Sequence, residues 1–163
     1  PITEASLGDG IFDGVRFAAA GGRFGIGSDS NVRIALAEEL RTLEYSQRLR
    51  DRARAVLATP DRSTGRVLFD MAATSGAVAV GRPAGAIHAG RLGDLVALDA
   101  DALDLKGKRG DDVLDSFVFT GDDRMVTDVW AAGRHLVRGG RHIRRDAIAS
   151  RYRKVITELR ARL

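Results

Sequence analysis

The sequence predicts an α/β chain made of β/α units, then a small β module, then a closing helix. Three observations support this. Residues 24–28 are a short apolar run that stops at Asp29 and gives way to a long amphipathic stretch, the pattern of a buried strand passing its chain to a helix. After Arg82-Pro83, glycines at 85, 90 and 93 punctuate a turn-rich stretch feeding Asp94-Leu-Val-Ala-Leu-Asp99 and then a hairpin pattern. Finally, residues 146–163 place apolar side chains at helical spacing.

Taken in order, residues 1–14 hold Gly8, Gly10 and Gly14 around Asp9 and Asp13 and read as a loop. Residues 15–20 suit a short helix closed by Gly21-Gly22. Residues 24–28 are the strand candidate. Ser30 or Asn31 then caps a helix reaching about Arg54, with Leu36, Ala37, Leu40, Leu43, Tyr45 and Leu49 as its apolar stripe. Glu44 stands four residues before Arg48, and Glu38, Glu39 and Glu44 together read as a solvated face. Pro60-Asp61 breaks the chain. Ser63 or Thr64 starts a second helix with Val67, Leu68 and Met71 inward, fading over residues 76–81. Residues 126–132 and 135–138 form the hairpin about Gly133-Arg134, ending at Gly139-Gly140. Asp146 caps the last helix, whose Ile148, Tyr152, Val155, Ile156, Leu159 and Leu163 share one face. There is no internal repeat and no low-complexity segment.

Composition narrows the function. A chain of 163 residues is long enough to bury a core. The net charge of +4 comes almost entirely from arginine, but the arginines alternate with Asp and Glu and aromatic residues are scarce. Only residues 138–145 and 151–162 are locally arginine-rich, so no nucleic-acid partner is expected. No apolar run approaches the roughly 20 residues of a membrane span, and no signal peptide is visible. The absence of cysteine excludes disulfides and thiolate ligands and fits a reducing compartment, so a cytoplasmic location is expected. Pro1 stands where an initiator methionine would, and the first residues read as the end of one element running into a loop. The expectation is a chain that begins inside a larger protein.

Most candidate motifs fail on spacing. Gly25-Ile26-Gly27 lacks the third glycine of a dinucleotide loop, because position 30 is serine, and no Walker lysine follows. His88, His135 and His142 have no metal-ligand spacing and read as surface or turn residues. Asp29 alone carries a sharp chemical hypothesis, a carboxylate at a strand exit. A purely local role at a helix start explains an aspartate there equally well. One carboxylate does not hydrolyse a bond unaided at neutral pH; it needs a metal or a second acid or base.

Three segments together resemble a known family: Pro1-Ile-Thr-Glu-Ala-Ser-Leu-Gly-Asp-Gly-Ile-Phe12, Gly22-Arg-Phe-Gly-Ile-Gly-Ser-Asp-Ser-Asn31 and Glu38-Glu-Leu-Arg-Thr-Leu-Glu-Tyr-Ser-Gln-Arg-Leu-Arg50. They are similar to the N-formimidoylglutamate deiminases of the amidohydrolase superfamily. The stretch from Gly85 to Asp99 resembles the point where such enzymes leave their barrel for a small β-sandwich. The resemblance implies the C-terminal portion of a (β/α)8 metal-dependent hydrolase barrel, with residues 1–81 as its last β/α units. Residues 82–145 would then be the C-terminal part of a β-sandwich and residues 146–163 a docking helix.

By the same resemblance, Asp29 is the aspartate at the end of the eighth barrel strand. There it binds a divalent metal, typically zinc, and carries the proton from the attacking water to the leaving ammonia. The histidine pair, the later histidine, the catalytic glutamate and most substrate contacts belong to earlier strands outside this chain. Thr3, Glu4 and the loop at residues 8–10 are candidates for the pocket mouth. Ser30 and Asn31 are candidate substrate contacts by their position beside Asp29, although helix capping explains both. The implied partners are a small-molecule substrate and the N-terminal part of the same enzyme, in an assembly compatible with a homodimer. The chain alone is expected to be inactive. Two alternatives stay open: a deaminase of the same superfamily acting on a purine, pyrimidine or triazine ring, and a non-catalytic module that binds a partner through its basic hairpin and final helix.

Overall fold

A computed structural model describes residues 1–31 and 33–162. Helix α3 (Leu36–Asp51) is its centre, because the side chains at its i, i+3 and i+4 spacings turn to one side and are buried. Ala37, Leu40 and Leu43 pack there with Leu57, with Leu68 of α4 (Thr64–Ala79) and with Phe117 and Val118 of α5 (Asp111–Phe119). Leu105 and Met125 complete this core. Two short helices, α1 (Ile2–Leu7) and α2 (Gly14–Ala19), lie against α3. Gln47 is buried and ties α2 to α3. Its Oε1 accepts from the Gly14 N–H at 3.1 Å and its Nε2 donates to the Phe12 carbonyl at 2.8 Å.

Helix α4 begins where the sequence places it. Ser63 is the N-cap and its hydroxyl accepts from the Arg66 N–H. The free N–H groups of that first turn are also met from α5, where Asp111 accepts from Ser63 N–H at 3.2 Å and Asp115 from Gly65 N–H at 2.7 Å. The two helices touch so closely that a Cβ on Gly65 would lie 2.7 Å from the Asp115 backbone nitrogen.

The β module is one antiparallel sheet in the order β1 (Leu95–Leu98), β2 (Val126–Ala131), β3 (Arg134–Arg138) and β4 (Arg141–His142). The β2–β3 turn is Ala132-Gly133, with φ of 50° and 77°, the left-handed pair that suits a tight hairpin. Asp94 pins this turn: its carboxylate accepts from Ala132 N–H at 2.6 Å and pairs with Arg82 at 3.0 Å. The Ala132 N–H, followed by Arg82, holds the Asp94 carboxyl below its ordinary value of 3.8. A depressed folded-state pKa contributes stability above 3.8 that is lost as the pH falls through that value and below it. Asp94→Asn is therefore expected to flatten, but not abolish, the acid limb of a thermal-stability profile, since Asp111, Asp122 and Asp128 are shifted in the same direction. An unchanged limb would contradict this role.

Several elements differ from their sequence-based expectation. Residues 1–14 are not all loop: Ile2–Leu7 forms α1, closed by Gly8 in a left-handed cap. Residues 24–28 form no ladder, because a central parallel strand needs neighbours on both edges and the described residues supply none. The run is seated against α4 instead, where a Cβ on Gly25 would lie 3.0 Å from the Gly76 Cα. Helix α3 starts at Leu36, so Ser30 and Asn31 do not cap it, and α4 runs on through Gly76.

The solvated carboxylate face is also corrected, since Glu39 and Glu44 are buried. Leu49 is on the outer side instead, 80 % exposed. Helix α6 (Arg145–Arg160) forms as expected, but Asp146 lies within its first turn, paired with Arg141, and does not cap it. Ile148, Tyr152, Val155 and Leu159 are exposed, while Leu163 lies outside the described residues. No described helix is long and apolar enough to cross a membrane.

Candidate functional site

The residues that follow the apolar run fold into a tight turn. Asn31 N–H donates to the Ser28 carbonyl at 3.0 Å, and the Asn31 amide donates to the Asp29 carbonyl at 3.1 Å. Ser28 Oγ donates to Asn31 Oδ1 at 3.0 Å. Asp29 and Asn31 both have positive φ, 43° and 56°, which short polar side chains tolerate better than others. The Asp29 side chain is exposed, and among the described residues neither carboxylate oxygen takes a hydrogen bond. Such a hard, anionic oxygen donor suits a divalent cation as one ligand. Among the described residues there is no group of three or more His, Asp or Glu that could hold a metal. Asp29 fits a metal site as a single contributor.

Thr3 comes from α1 and meets this turn. Its Oγ1 lies 2.9 Å from Ser30 Oγ and 3.3 Å from the Ser28 carbonyl. Thr3 and Ser30 are thus brought together beside Asp29. Glu4 lies apart from that turn, its Oε2 2.7 Å from the Pro1 amino nitrogen, at the wall of an apolar cleft of about 470 Å³ that it shares with Gly10, Phe12, Phe24, Ile26 and Leu43. Asp29 is not part of that wall.

Two buried carboxylates were misjudged by sequence reasoning because helical spacing alone does not show what packs on a face. Glu39 Oε2 accepts from Ile2 N–H at 3.1 Å, fastening α1 to α3, while its Oε1 has no partner among the described residues. Glu44 accepts from Val56 N–H at 3.0 Å, Leu57 N–H at 3.1 Å and Arg48 Nε at 2.7 Å.

The histidines are dispersed. His88 is exposed, with Nδ1 2.7 Å from the Ala89 carbonyl. His135 pairs with Asp128 at 2.7 Å and stacks on Trp130. His142 accepts from Arg144 N–H.

A family model described as the amidohydrolase family matches residues 1–136. The chain belongs to the amidohydrolase family. A formimidoylglutamate deiminase of Pseudomonas aeruginosa is 49% identical over 158 residues, covering 96% of this chain and 35% of the relative. An amidohydrolase structure from Brucella melitensis superposes with a TM-score of 0.88 at 51% identity, covering 98% of this chain and 35% of that one.

An adenosine deaminase from Xanthomonas campestris with bound zinc shares the fold at 23% identity and TM-score 0.81, covering 97% and 36% of the two chains. An atrazine chlorohydrolase from Arthrobacter aurescens complexed with zinc matches at 26% identity and TM-score 0.69, covering 86% and 30%. The chain thus spans about a third of the length of the amidohydrolases it matches.

Proposed function

We propose that residues 1–163 are the C-terminal third of a zinc-dependent formimidoylglutamate deiminase. The observation that carries this reading is the 49% identity to the Pseudomonas deiminase, sustained over 96% of the chain. The zinc complexed by the atrazine chlorohydrolase, which is 26% identical to this chain, supports the choice of metal.

In this reading residues 1–81 are the last β/α units of a (β/α)8 barrel, and residues 24–28 become its eighth strand once neighbouring strands pair with them. Residues 82–145 belong to a β-sandwich, and residues 146–163 form a helix that docks on the remainder. The exposure of Leu7, Ile34 and Phe17, at 68%, 72% and 38%, supports apolar faces that the other two-thirds cover.

The reaction replaces the terminal nitrogen of an amidine. Water adds to the formimidoyl carbon, the C–N bond to the terminal nitrogen breaks, and N-formyl-L-glutamate and ammonia leave. A divalent metal, when bound, acidifies water and stabilises developing negative charge. The Asp29 carboxylate would hold that metal together with ligands from outside this chain. It also accepts the water proton at Oδ and returns it to the departing nitrogen, which leaves as ammonia. Glu4, at the cleft wall, with Ser30 and Asn31 beside Asp29, are the substrate-facing candidates in this chain.

Two assays test the reading. The full-length enzyme is expected to convert N-formimidoyl-L-glutamate to N-formyl-L-glutamate and ammonia, and to leave an aminopurine nucleoside and an aminotriazine unchanged. Preference for either ring would overturn it. Residues 1–163 alone with zinc are expected to release no ammonia, because one carboxylate cannot assemble the site. Turnover by that chain would place the whole site within it.

A further inference from the structure

One hydroxyl grips the turn that carries Asp29. Thr3 is buried at 5% exposure in the first turn of α1. Its Oγ1 donates to the Ser28 carbonyl at 3.3 Å and accepts from Ser30 N–H at 3.4 Å. The Ser30 hydroxyl, 2.9 Å away, is then left to donate to the same oxygen. The Ser28 carbonyl and the Ser30 N–H belong to the two peptide units on either side of Asp29. Tethering both to one atom restrains φ and ψ of Asp29 together.

The restrained conformation is an uncommon one. Asp29 sits at φ 43°, in the left-handed region, which is uncommon outside glycine although aspartate and asparagine adopt it more readily than other residues. The anchor behind Thr3 is firm as well. The neighbouring Ile2 N–H donates to Glu39, which is only 2% exposed on α3. The path from the central helix to the carboxylate therefore runs α3, Glu39, α1, Thr3, turn, Asp29.

We propose that Thr3 is a positioning residue whose hydroxyl locks the Asp29 turn in the geometry that aims the carboxylate at the metal, and that it does not contact substrate. This rests on the deiminase reading for Asp29. A residue acting at one remove from a metal site typically changes affinity or activity by about 10–100-fold when its hydrogen bond is lost.

The test uses the full-length enzyme with cobalt(II) in place of zinc, as wild type, Thr3→Val and Thr3→Ser. Valine keeps the shape without the hydroxyl, and serine keeps the hydroxyl without the methyl. Thr3→Val is expected to lower kcat about 10–100-fold at unchanged KM and to shift the visible cobalt absorption, with Thr3→Ser restoring both. Three results would overturn the proposal. One is a wild-type spectrum and kcat in Thr3→Val. Another is a change in KM alone, the mark of a substrate contact. The third is a Thr3→Ser variant as impaired as Thr3→Val, the mark of packing alone. If the wild type releases no ammonia from formimidoylglutamate, the functional reading has failed, while the cobalt spectra of the variants still judge the positioning claim.

Discussion

Asp29→Asn in the full-length enzyme is expected to lower kcat/KM for N-formimidoyl-L-glutamate by about 10²–10⁴-fold, the range a positioned proton-transfer group supplies. The substitution isolates chemistry from folding. Asparagine is as much at ease as aspartate at the φ of 43° that position 29 requires, so the turn survives. The amide oxygen can still approach a cation, but it carries no charge and accepts no proton at neutral pH. Metal content should fall less than rate. Asp29→Ala removes the donor altogether and should lose metal as well as rate. Elemental analysis beside the ammonia assay separates the two variants. An Asp29→Asn enzyme within tenfold of wild type would remove Asp29 from the reaction.

The largest effect on stability is expected at Glu44. Its side chain is completely buried and accepts from two backbone N–H groups and from Arg48. Glu44→Ala leaves Val56 N–H and Leu57 N–H without acceptors and opens a void beside the core. It also leaves the Arg48 guanidinium, which lies 5.3 Å from the Tyr45 ring centre and 5.0 Å from that of Phe119, without its counter-ion. Breaking a buried pair of this kind costs about 3–5 kcal/mol. Because Arg48 is 25% exposed and regains some hydration, the lower end, about 3 kcal/mol, is expected. Glu44→Gln keeps one acceptor oxygen and should lose less. The urea midpoint of the two variants reads the difference, and equal midpoints for Glu44→Ala and wild type would contradict the assignment.

The contrast between Asp29 and Glu44 shows what could be read from the sequence. Asp29 was conspicuous because a polar residue ended an apolar run, and that pattern needs no tertiary information. The hairpin, the Ser63 cap and β1 were legible for the same local reason. Glu44 was not, because its partners at residues 56 and 57 come from a loop whose path no helical period encodes. Helix α5 was missed although Val113, Leu114, Phe117 and Val118 carry the spacing of a buried face; its brevity and flanking Asp and Gly concealed it. The expected strand at 24–28 is the converse case. Its sequence suits a strand, but a parallel strand exists only where neighbours supply the ladder. The role of Thr3 could not be anticipated either, since 24 intervening residues separate it from Ser28 in sequence and only folding brings the two within hydrogen-bond distance.

The most direct measurement is the crystal structure of the full-length enzyme grown with zinc. An Asp29 carboxylate oxygen is expected about 2.0–2.2 Å from the ion, with histidines from outside residues 1–163 completing the shell. A zinc ion bound with Asp29 turned away and out of contact would contradict the central claim, leaving the turn at residues 28–31 a structural feature and nothing more.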